Sequence, residues 1–134
     1  MRQILYISTA RKHLTPNDVG DILRSSHRNN TLSGVTGLLF YDGVRFMQVL
    51  EGPSEKIEET FSRIRADKRH YALVILHDIP MAERQFRQMT MASYVWDSNE
   101  GPASVSHDKV DRLVADVEDQ NLKYQFKSFA QIRG

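Results

Sequence analysis

The alternation of apolar and polar residues predicts several strands in the first part of the chain. Residues 3–9, QILYIST, alternate in this way and predict a first strand with Tyr6 on one face. Residues 34–51 predict a hairpin whose turn is Asp42-Gly43, a pair typical of tight turns. Both faces of the returning strand are mainly apolar, with Gln48 between Phe46 and Leu50, which indicates a central strand covered on both sides.

Two amphipathic helices are predicted between these strands. Thr15, followed by proline and Asp18, is typical of a helix start, with Thr15 as the cap. We expect this helix to end between His27 and Asn30, because asparagine readily takes the left-handed conformation found at helix ends. A second helix is expected to end near Asp67.

The remaining strands complete the predicted fold class. Residues 72–77 and 86–95 predict a fourth and a fifth strand. The order is that of an α+β, ferredoxin-like βαββαβ fold with an additional strand and with both helices on one face of the sheet. Residues 1–97 are expected to form this domain. Residues 98–134 predict a C-terminal helical segment that belongs to the same domain and covers the other face.

Composition and charge exclude several classes of function. The chain of 134 residues has 18 basic and 17 acidic residues, well mixed, so nothing indicates nucleic-acid binding. It contains no cysteine, and its five histidines lack the spacing of metal ligands. No apolar run is long enough to span a bilayer and no signal peptide is evident, so we expect a cytosolic protein without a metal or a membrane partner.

Some polar residues occupy positions where the pattern calls for apolar ones. Gln48 and Tyr6 point toward the predicted helices, and Asn30 lies near the same layer. Taken singly, each is more often an ordinary core residue or a helix cap, and Arg63 with Asp67 is more often a solvated ion pair. Taken together, they predict a slot between two helices with polar groups along one side. Such a slot suits a flavin or another planar cofactor.

Longer segments resemble the BLUF family of blue-light sensors, which use flavin adenine dinucleotide (FAD). The resemblance covers about residues 3–95 and is strongest between Val35 and Pro53. It rests on the segments LYIS at 5–8, ILRSSHRNN at 22–30, VTGLLFYDGVRFMQVLEGP at 35–53, RIRADKRH at 63–70 and RQFRQMTM at 84–91.

The resemblance implies roles for three photoactive residues. Tyr6 would give an electron and a proton to the excited flavin. Gln48 would connect the Tyr6 hydroxyl to the N5/O4 edge of the ring, and its hydrogen bonds would rearrange on illumination. Met91, on the fifth strand, would help to pass the change outward. Many relatives have tryptophan two residues before this methionine, whereas this chain has Met89, which puts in doubt any signalling scheme based on a moving tryptophan.

The resemblance also implies a set of residues that bind the cofactor. Their predicted contacts run from one end of the flavin to the other. Besides Tyr6 and Gln48, they are Asn30 on the carbonyl and N3 edge with Asn29 beside it, Ile22 and Ile64 on the two faces of the ring, Arg63 at the pyrimidine end, and Asp67, Arg69 and His70 near the ribityl and phosphate groups. FAD is the expected cofactor, while FMN and riboflavin stay open.

The expected function is that of a sensor with no enzymatic activity. We expect a reversible, red-shifted signalling state that is read by an unidentified effector protein or by a change in a homo-oligomer, with the C-terminal segment as the output element. Two alternatives stay open. A flavin-dependent redox protein would oxidise a reduced nicotinamide steadily, and a ferredoxin-like interaction module without a cofactor would be colourless.

Overall fold

The computed structural model describes residues 1–12, 14–83 and, for the backbone, 92–95. These ranges contain strands and helices in the predicted order. Their bounds are β1 (Arg2–Ala10), α1 (Pro16–Ser33), β2 (Thr36–Tyr41), β3 (Arg45–Gly52), α2 (Ser54–Ala66), β4 (His70–Pro80) and β5 (Ala92–Val95).

The strands form one sheet in the order β4-β1-β3-β2-β5. The pairs β4–β1, β1–β3 and β3–β2 are antiparallel, whereas β5 runs parallel to β2. Strands β1 and β2 run in the same direction on either side of β3, so α1 connects them across one face of the sheet. Helix α2 connects β3 and β4 across β1 in the same way. The ferredoxin-like α+β fold with a fifth strand is therefore confirmed.

Helix α1 begins as the sequence predicts. The Thr15 hydroxyl accepts a hydrogen bond from the backbone N–H of Asp18 at 3.1 Å. The Asp18 carboxylate accepts one from the backbone N–H of Thr15 at 2.9 Å. This reciprocal capping box satisfies N–H groups at the helix start that no helical carbonyl can reach.

The end of α1 corrects the prediction. The helix continues beyond Asn30 to Ser33, and the left-handed residue is Gly34, with a φ of 71°. The backbone N–H groups of Gly34 and Val35 both donate to the carbonyl oxygen of Asn30. Glycine takes the left-handed region without steric cost, so the helix does not need an asparagine at that position. Asn29 and Asn30 are therefore helical residues.

The hairpin turn is held by the side chain of Asp42. Its Oδ1 accepts hydrogen bonds from the backbone N–H groups of Val44 and Arg45 at 2.9 and 2.6 Å. Gly43 follows with a φ of 94°, a conformation that favours glycine. This turn sets the pairing of β2 with β3 and so places Gln48 on the central strand beside Leu39.

Strand β4 is longer than the predicted 72–77. Its pairing with β1 extends from Ala10 opposite His70 to Arg2 opposite Pro80, and it contains register shifts. Among the described strands it pairs with β1 alone, and several of its apolar side chains are exposed, including Val74 at 51%. Of the predicted fifth strand at 86–95, the described residues include only the backbone of 92–95.

The hydrophobic core lies between the helices and one face of the sheet. It includes Tyr6 and Phe46 from the strands and Ile57 and Phe61 from α2, with Ile22 of α1 packed against it. The opposite face is also buried, with exposed fractions of zero for Leu5, Leu38 and Val49. The predicted cover of that face, residues 98–134, lies outside the described residues and stays a prediction.

We expect Gly37→Ala to destabilise the fold by about 3 kcal/mol, the cost of severe overpacking. A Cβ atom at this position would lie 2.0 Å from the carbonyl oxygen of Val49 on the paired strand. Strands β2 and β3 would have to move apart, which strains the hydrogen bonds that place Gln48. Urea unfolding followed by circular dichroism measures the change in the free energy of unfolding.

A second glycine offers a matched control for this substitution. At Gly20, inside α1, a new Cβ would meet the end of the Arg24 side chain at 3.2 Å, and that side chain can move. Alanine favours a helix over glycine, so Gly20→Ala should stabilise the protein by about 0.5–1 kcal/mol. An unchanged unfolding midpoint in Gly37→Ala would contradict the described pairing of β2 with β3.

Candidate functional site

Tyr6 and Gln48 form a buried hydrogen bond at the centre of the sheet. They lie directly opposite each other on the antiparallel strands β1 and β3, so both side chains point toward the helices. Their exposed fractions are 3% and 2%. The Tyr6 hydroxyl donates to Oε1 of Gln48. A phenol and an amide that the sequence separates by 42 positions thus become one polar unit in an apolar layer.

The surroundings of Tyr6 keep its phenol protonated. Burial raises the pKa of Tyr6 far above its ordinary value, because an isolated phenolate would lose its hydration. The negative charge of Asp67 adds to the effect. The ring of Phe61 packs edge-on against the Tyr6 ring with centroids 5.7 Å apart. Tyr6 is therefore a fixed hydrogen-bond donor at neutral pH.

A cavity of about 440 Å³ opens beside this pair, between α1 and α2. Its volume falls in the range of small-molecule sites, about 300–1,000 Å³. Every predicted cofactor-contact residue lies on its wall: Tyr6, Ile22, Asn29, Asn30, Gln48, Arg63, Ile64, Asp67, Arg69 and His70. Met91, the other predicted site residue, lies outside the described residues.

The cavity wall also contains residues that the sequence analysis did not assign to it. Thr60 of α2 is 3% exposed, although its side chain is polar. It falls one helical turn after Ile57 and one before Ile64, so a polar residue within an apolar stripe was the available signal. The other unassigned wall residues are Ser25, Ser26, Leu39, Phe46 and Ala66.

Asn30 has an unsatisfied donor. Its side chain is 2% exposed, and among the described residues its Nδ2 has no hydrogen-bond partner. A buried amide left without a partner costs about 1–3 kcal/mol, so this donor calls for an acceptor in the cavity. A planar group with carbonyl oxygens along one edge would provide it.

Asp67 pairs with Arg69 on the cavity wall. The Asp67 carboxylate accepts hydrogen bonds from Arg69 Nη2 at 2.6 Å, Arg69 Nε at 2.9 Å and the Arg69 backbone N–H at 3.0 Å. The solvated i,i+4 ion pair with Arg63, the ordinary alternative to a cofactor contact, is not among the ion pairs of the described residues. Arg63 instead approaches Thr60 Oγ1 at 3.5 Å. The hydrogen bonds from Arg69 hold the pKa of Asp67 below its ordinary value.

Replacing the Asp67 charge should weaken the fold in a pH-dependent way. A carboxyl whose pKa is lowered by folding stabilises the protein above its unfolded pKa of about 3.9, and that stability is lost as the pH falls through the folded pKa. At pH 7 we expect Asp67→Asn to lower the free energy of unfolding by about 1 kcal/mol. Urea unfolding of both proteins at about pH 7 and about pH 3 should show the difference shrinking at the lower pH.

Asp21→Asn is the control for this comparison. Asp21 pairs with Arg24 on the exposed side of α1, with 61% of its side chain accessible, so its loss should matter little at either pH. A difference between wild type and Asp67→Asn that stays constant from pH 7 to pH 3 would contradict the assigned ion pair.

His70 has both ring nitrogens engaged within the protein. Its Nδ1 lies 2.7 Å from the hydroxyl oxygen of Ser8 on β1, and its Nε2 lies 2.6 Å from the carbonyl oxygen of Ile64 in the last turn of α2. Its ring also contacts Phe46 edge-on. His70 thus joins a strand, a helix end and the cavity wall.

Metal binding and membrane insertion find no support in the described part of the chain. No group of histidine, aspartate and glutamate residues there could hold a metal ion. No helix there is both long and apolar enough to cross a membrane.

Comparison with known proteins identifies the family of the chain. The sequence profile of the BLUF family, described as sensors of blue-light using FAD, matches residues 1–92. The chain belongs to the BLUF family. It is a blue-light sensor whose chromophore is FAD, and the resemblance seen in its sequence is confirmed.

Similar BLUF proteins occur both as parts of longer chains and alone. Photoactivated adenylate cyclase subunit beta of Euglena longa is 35% identical over 83 residues, which are 62% of this chain and 10% of that protein. The blue light- and temperature-regulated antirepressor BluF of Escherichia coli (strain K12) is 34% identical over 82 residues, 60% of this chain and 20% of that protein. The dark-state structure of BlrB, a BLUF protein, matches with a TM-score of 0.71 and 27% identity, covering 98% of this chain and 92% of BlrB.

The match to BlrB covers nearly the whole of both chains. The chain spans only a tenth of the cyclase subunit and a fifth of the antirepressor. Their names therefore describe longer proteins in which a BLUF region is a part.

The cavity fits the flavin of a BLUF protein. Asn30 Nδ2 is a buried donor that still needs an acceptor, and the edge of an isoalloxazine ring carries carbonyl oxygens. Ile22 and Ile64 supply half-buried apolar surface from the two helices for the faces of the ring. Both the polar and the apolar parts of the wall thus suit a flat heterocycle.

Proposed function

We propose that this BLUF protein reports blue light through the hydrogen bond between Tyr6 and Gln48. Bound flavin supplies the absorption of blue light and, once excited, an electron acceptor. The observation that carries the proposal is the buried Tyr6–Gln48 bond on the cavity wall. The Tyr6 proton already points at Gln48 Oε1, so a proton that leaves Tyr6 together with an electron has an acceptor atom in contact.

Gln48 can change its hydrogen bonds without moving the backbone. Its Oε1 faces Tyr6, so its Nε2 faces another direction. Rotation of the amide would exchange the two atoms, and tautomerisation would change an acceptor into a donor. Either change alters the polar groups presented to the cavity and would shift the absorption to the red. Return of the electron and the proton to Tyr6 restores the starting state, so no substrate is consumed.

The other wall residues would hold the cofactor. Asn30 would meet the carbonyl and N3 edge through its unsatisfied Nδ2, with Asn29 beside it. Ile22 and Ile64 would cover the two faces of the ring. The exposed Arg63 would reach the pyrimidine end, and the paired Asp67 and Arg69 would lie near the ribityl and phosphate groups. The family supplies FAD as the cofactor, and whether FMN or riboflavin can replace it stays open.

The output is a contact with another protein. BLUF regions in similar proteins belong to chains named as cyclase subunits and as an antirepressor, which supports a downstream effector of this chain as well. A homo-oligomer whose contacts change with light, a cytosolic location and an output role for residues 98–134 stay predictions.

The visible absorption spectrum of the purified protein, in the dark and just after blue light, tests the proposal. A yellow protein whose band shifts slightly and reversibly to the red is the expected result. Bleaching of the band would indicate net reduction of the flavin and would favour the redox-protein alternative. A colourless protein that also fails to take up added FAD would contradict the assignment of the cavity.

A further inference from the structure

The hydrogen bonds of His70 point to a role other than the ligand role that the family resemblance implies. The carbonyl oxygen of Ile64 can only accept, so the 2.6 Å contact requires a hydrogen on Nε2 of His70. In the neutral ring Nδ1 then accepts a hydrogen bond from the Ser8 hydroxyl at 2.7 Å. Both polar atoms of the imidazole are therefore used, and a ribityl or phosphate contact would have to break one of these bonds.

One hydrogen-bond partner of His70 is a residue of the cavity wall, and the other lies on the strand that carries Tyr6. Ile64 is in the last turn of α2, where its carbonyl oxygen also accepts a hydrogen bond from the backbone N–H of Asp67 at 3.2 Å, and its own side chain lies on the cavity wall. Ser8 is 2% exposed and lies on β1 on the same face as Tyr6, but it is not part of the cavity wall. The hydrogen bonds of His70 to Ser8 and Ile64 thus fix the end of α2 relative to the strand that carries Tyr6.

We infer that His70 is a positioning residue that sets the distance between the end of α2 and β1, and that it binds neither the ribityl nor the phosphate groups. The inference rests on the proposed flavin site. Loss of His70 removes the hydrogen bonds that connect Ile64 to β1, so one apolar wall of the slot is held less firmly against the sheet. The isoalloxazine ring is then held less tightly, whether or not ribityl and phosphate groups are attached to it.

The rate of flavin release tests this role. Wild type, Ser8→Ala, His70→Ala and the double variant are loaded by exchange with FAD or with lumiflavin, a ring without ribityl and phosphate groups. Release is followed by flavin fluorescence after dilution. We expect His70→Ala to release both flavins faster by the same factor, roughly tenfold for the loss of two hydrogen bonds. Ser8→Ala should release both faster by a smaller factor and should add nothing in the His70→Ala background.

Three further measurements separate positioning from general loss of stability. Added imidazole should slow the release from His70→Ala and leave the wild-type rate unchanged. His77→Ala removes a histidine that bonds to Gln3 on the other face of the sheet, and it should release flavin at the wild-type rate. Thermal unfolding of each loaded variant shows whether the fold is intact at the temperature of the release measurement.

Direct contact and positioning give opposite results. Faster release of FAD with unchanged release of lumiflavin would make His70 a ligand of the ribityl or phosphate groups and would overturn the inference. Release from Ser8→Ala at the wild-type rate would overturn it as well, even if His70→Ala failed to fold. A wild-type protein that binds FAD but shows no red shift would contradict the proposed light mechanism and leave this comparison of release rates valid.

Discussion

The Gln48→Leu variant is expected to retain flavin and to lose the light-induced red shift completely. Leucine is similar in size and suits the apolar layer between Phe46 and Leu50, so the cavity should persist. It has neither a donor nor an acceptor, and no rearrangement of hydrogen bonds at this position can follow illumination. It also leaves the Tyr6 hydroxyl without its acceptor, which should cost about 1–3 kcal/mol of stability. Absorption spectra before and after blue light measure the effect.

Gln3→Leu is a matched control, because Gln3 is also a fully buried amide on a central strand. Its Nε2 donates to Glu51 at 2.8 Å and its Oε1 lies 2.7 Å from His77, on the face of the sheet away from the cavity. Its loss should reduce stability while the red shift stays. An unchanged red shift in Gln48→Leu would refute the proposed role of Gln48. Loss of the red shift in both variants would mean that lowered stability, and not the Gln48 amide, explains the loss.

Local sequence signals predicted much of the fold, because their causes are local. The capping box of Thr15 and the turn at Asp42 each depend on side chains within three residues of the groups that they bond. The end of α1 was placed too early because two residue types compete for the left-handed position. Asn30 tolerates that conformation, but Gly34, further along, takes it at lower cost.

The pairing of Asp67 could not be read from helical spacing. Four positions separate it from Arg63, which favours an ion pair only if the helix continues through Asp67. The helix ends at Ala66, and the extended backbone of Asp67 turns its carboxylate toward Arg69 instead. The extra length of β4 is likewise a result of its pairing with β1 and has no signal of its own in the segment.

The candidate site was partly predictable for a different reason. Strand parity places Tyr6 and Gln48 on faces that point toward the helices, and the sequence contains that information. It does not contain the register that places them directly opposite each other, which depends on how the whole of β1 pairs with β3. The place of Thr60 within the apolar stripe of α2 was an available signal, whereas the unsatisfied Asn30 Nδ2 became evident only when the packing of the helices against the sheet was known.

The chemistry of Tyr6 follows from its burial. Because burial raises the pKa of the phenol far above its ordinary value, the proton stays on Tyr6 at neutral pH in the dark. Removal of an electron reverses this preference, since an oxidised phenol is a strong acid. Gln48 Oε1 accepts the hydrogen bond of the Tyr6 hydroxyl, so the proposed loss of an electron and a proton from Tyr6 would be linked to the state of the amide.

Tyr6→Phe should therefore bind flavin and lose the photoresponse entirely. The substitution removes only the hydroxyl, and the aromatic ring keeps its edge-on packing with Phe61 at 5.7 Å between centroids. Without the hydroxyl, Gln48 has no proton donor on β1, and the ring is harder to oxidise. Tyr41→Phe is the control. Tyr41 stacks on Phe46 but is not itself on the cavity wall, so its variant should respond to light as wild type does. Absorption spectra after a blue pulse compare the three proteins, and a wild-type red shift in Tyr6→Phe would rule out Tyr6 as the donor.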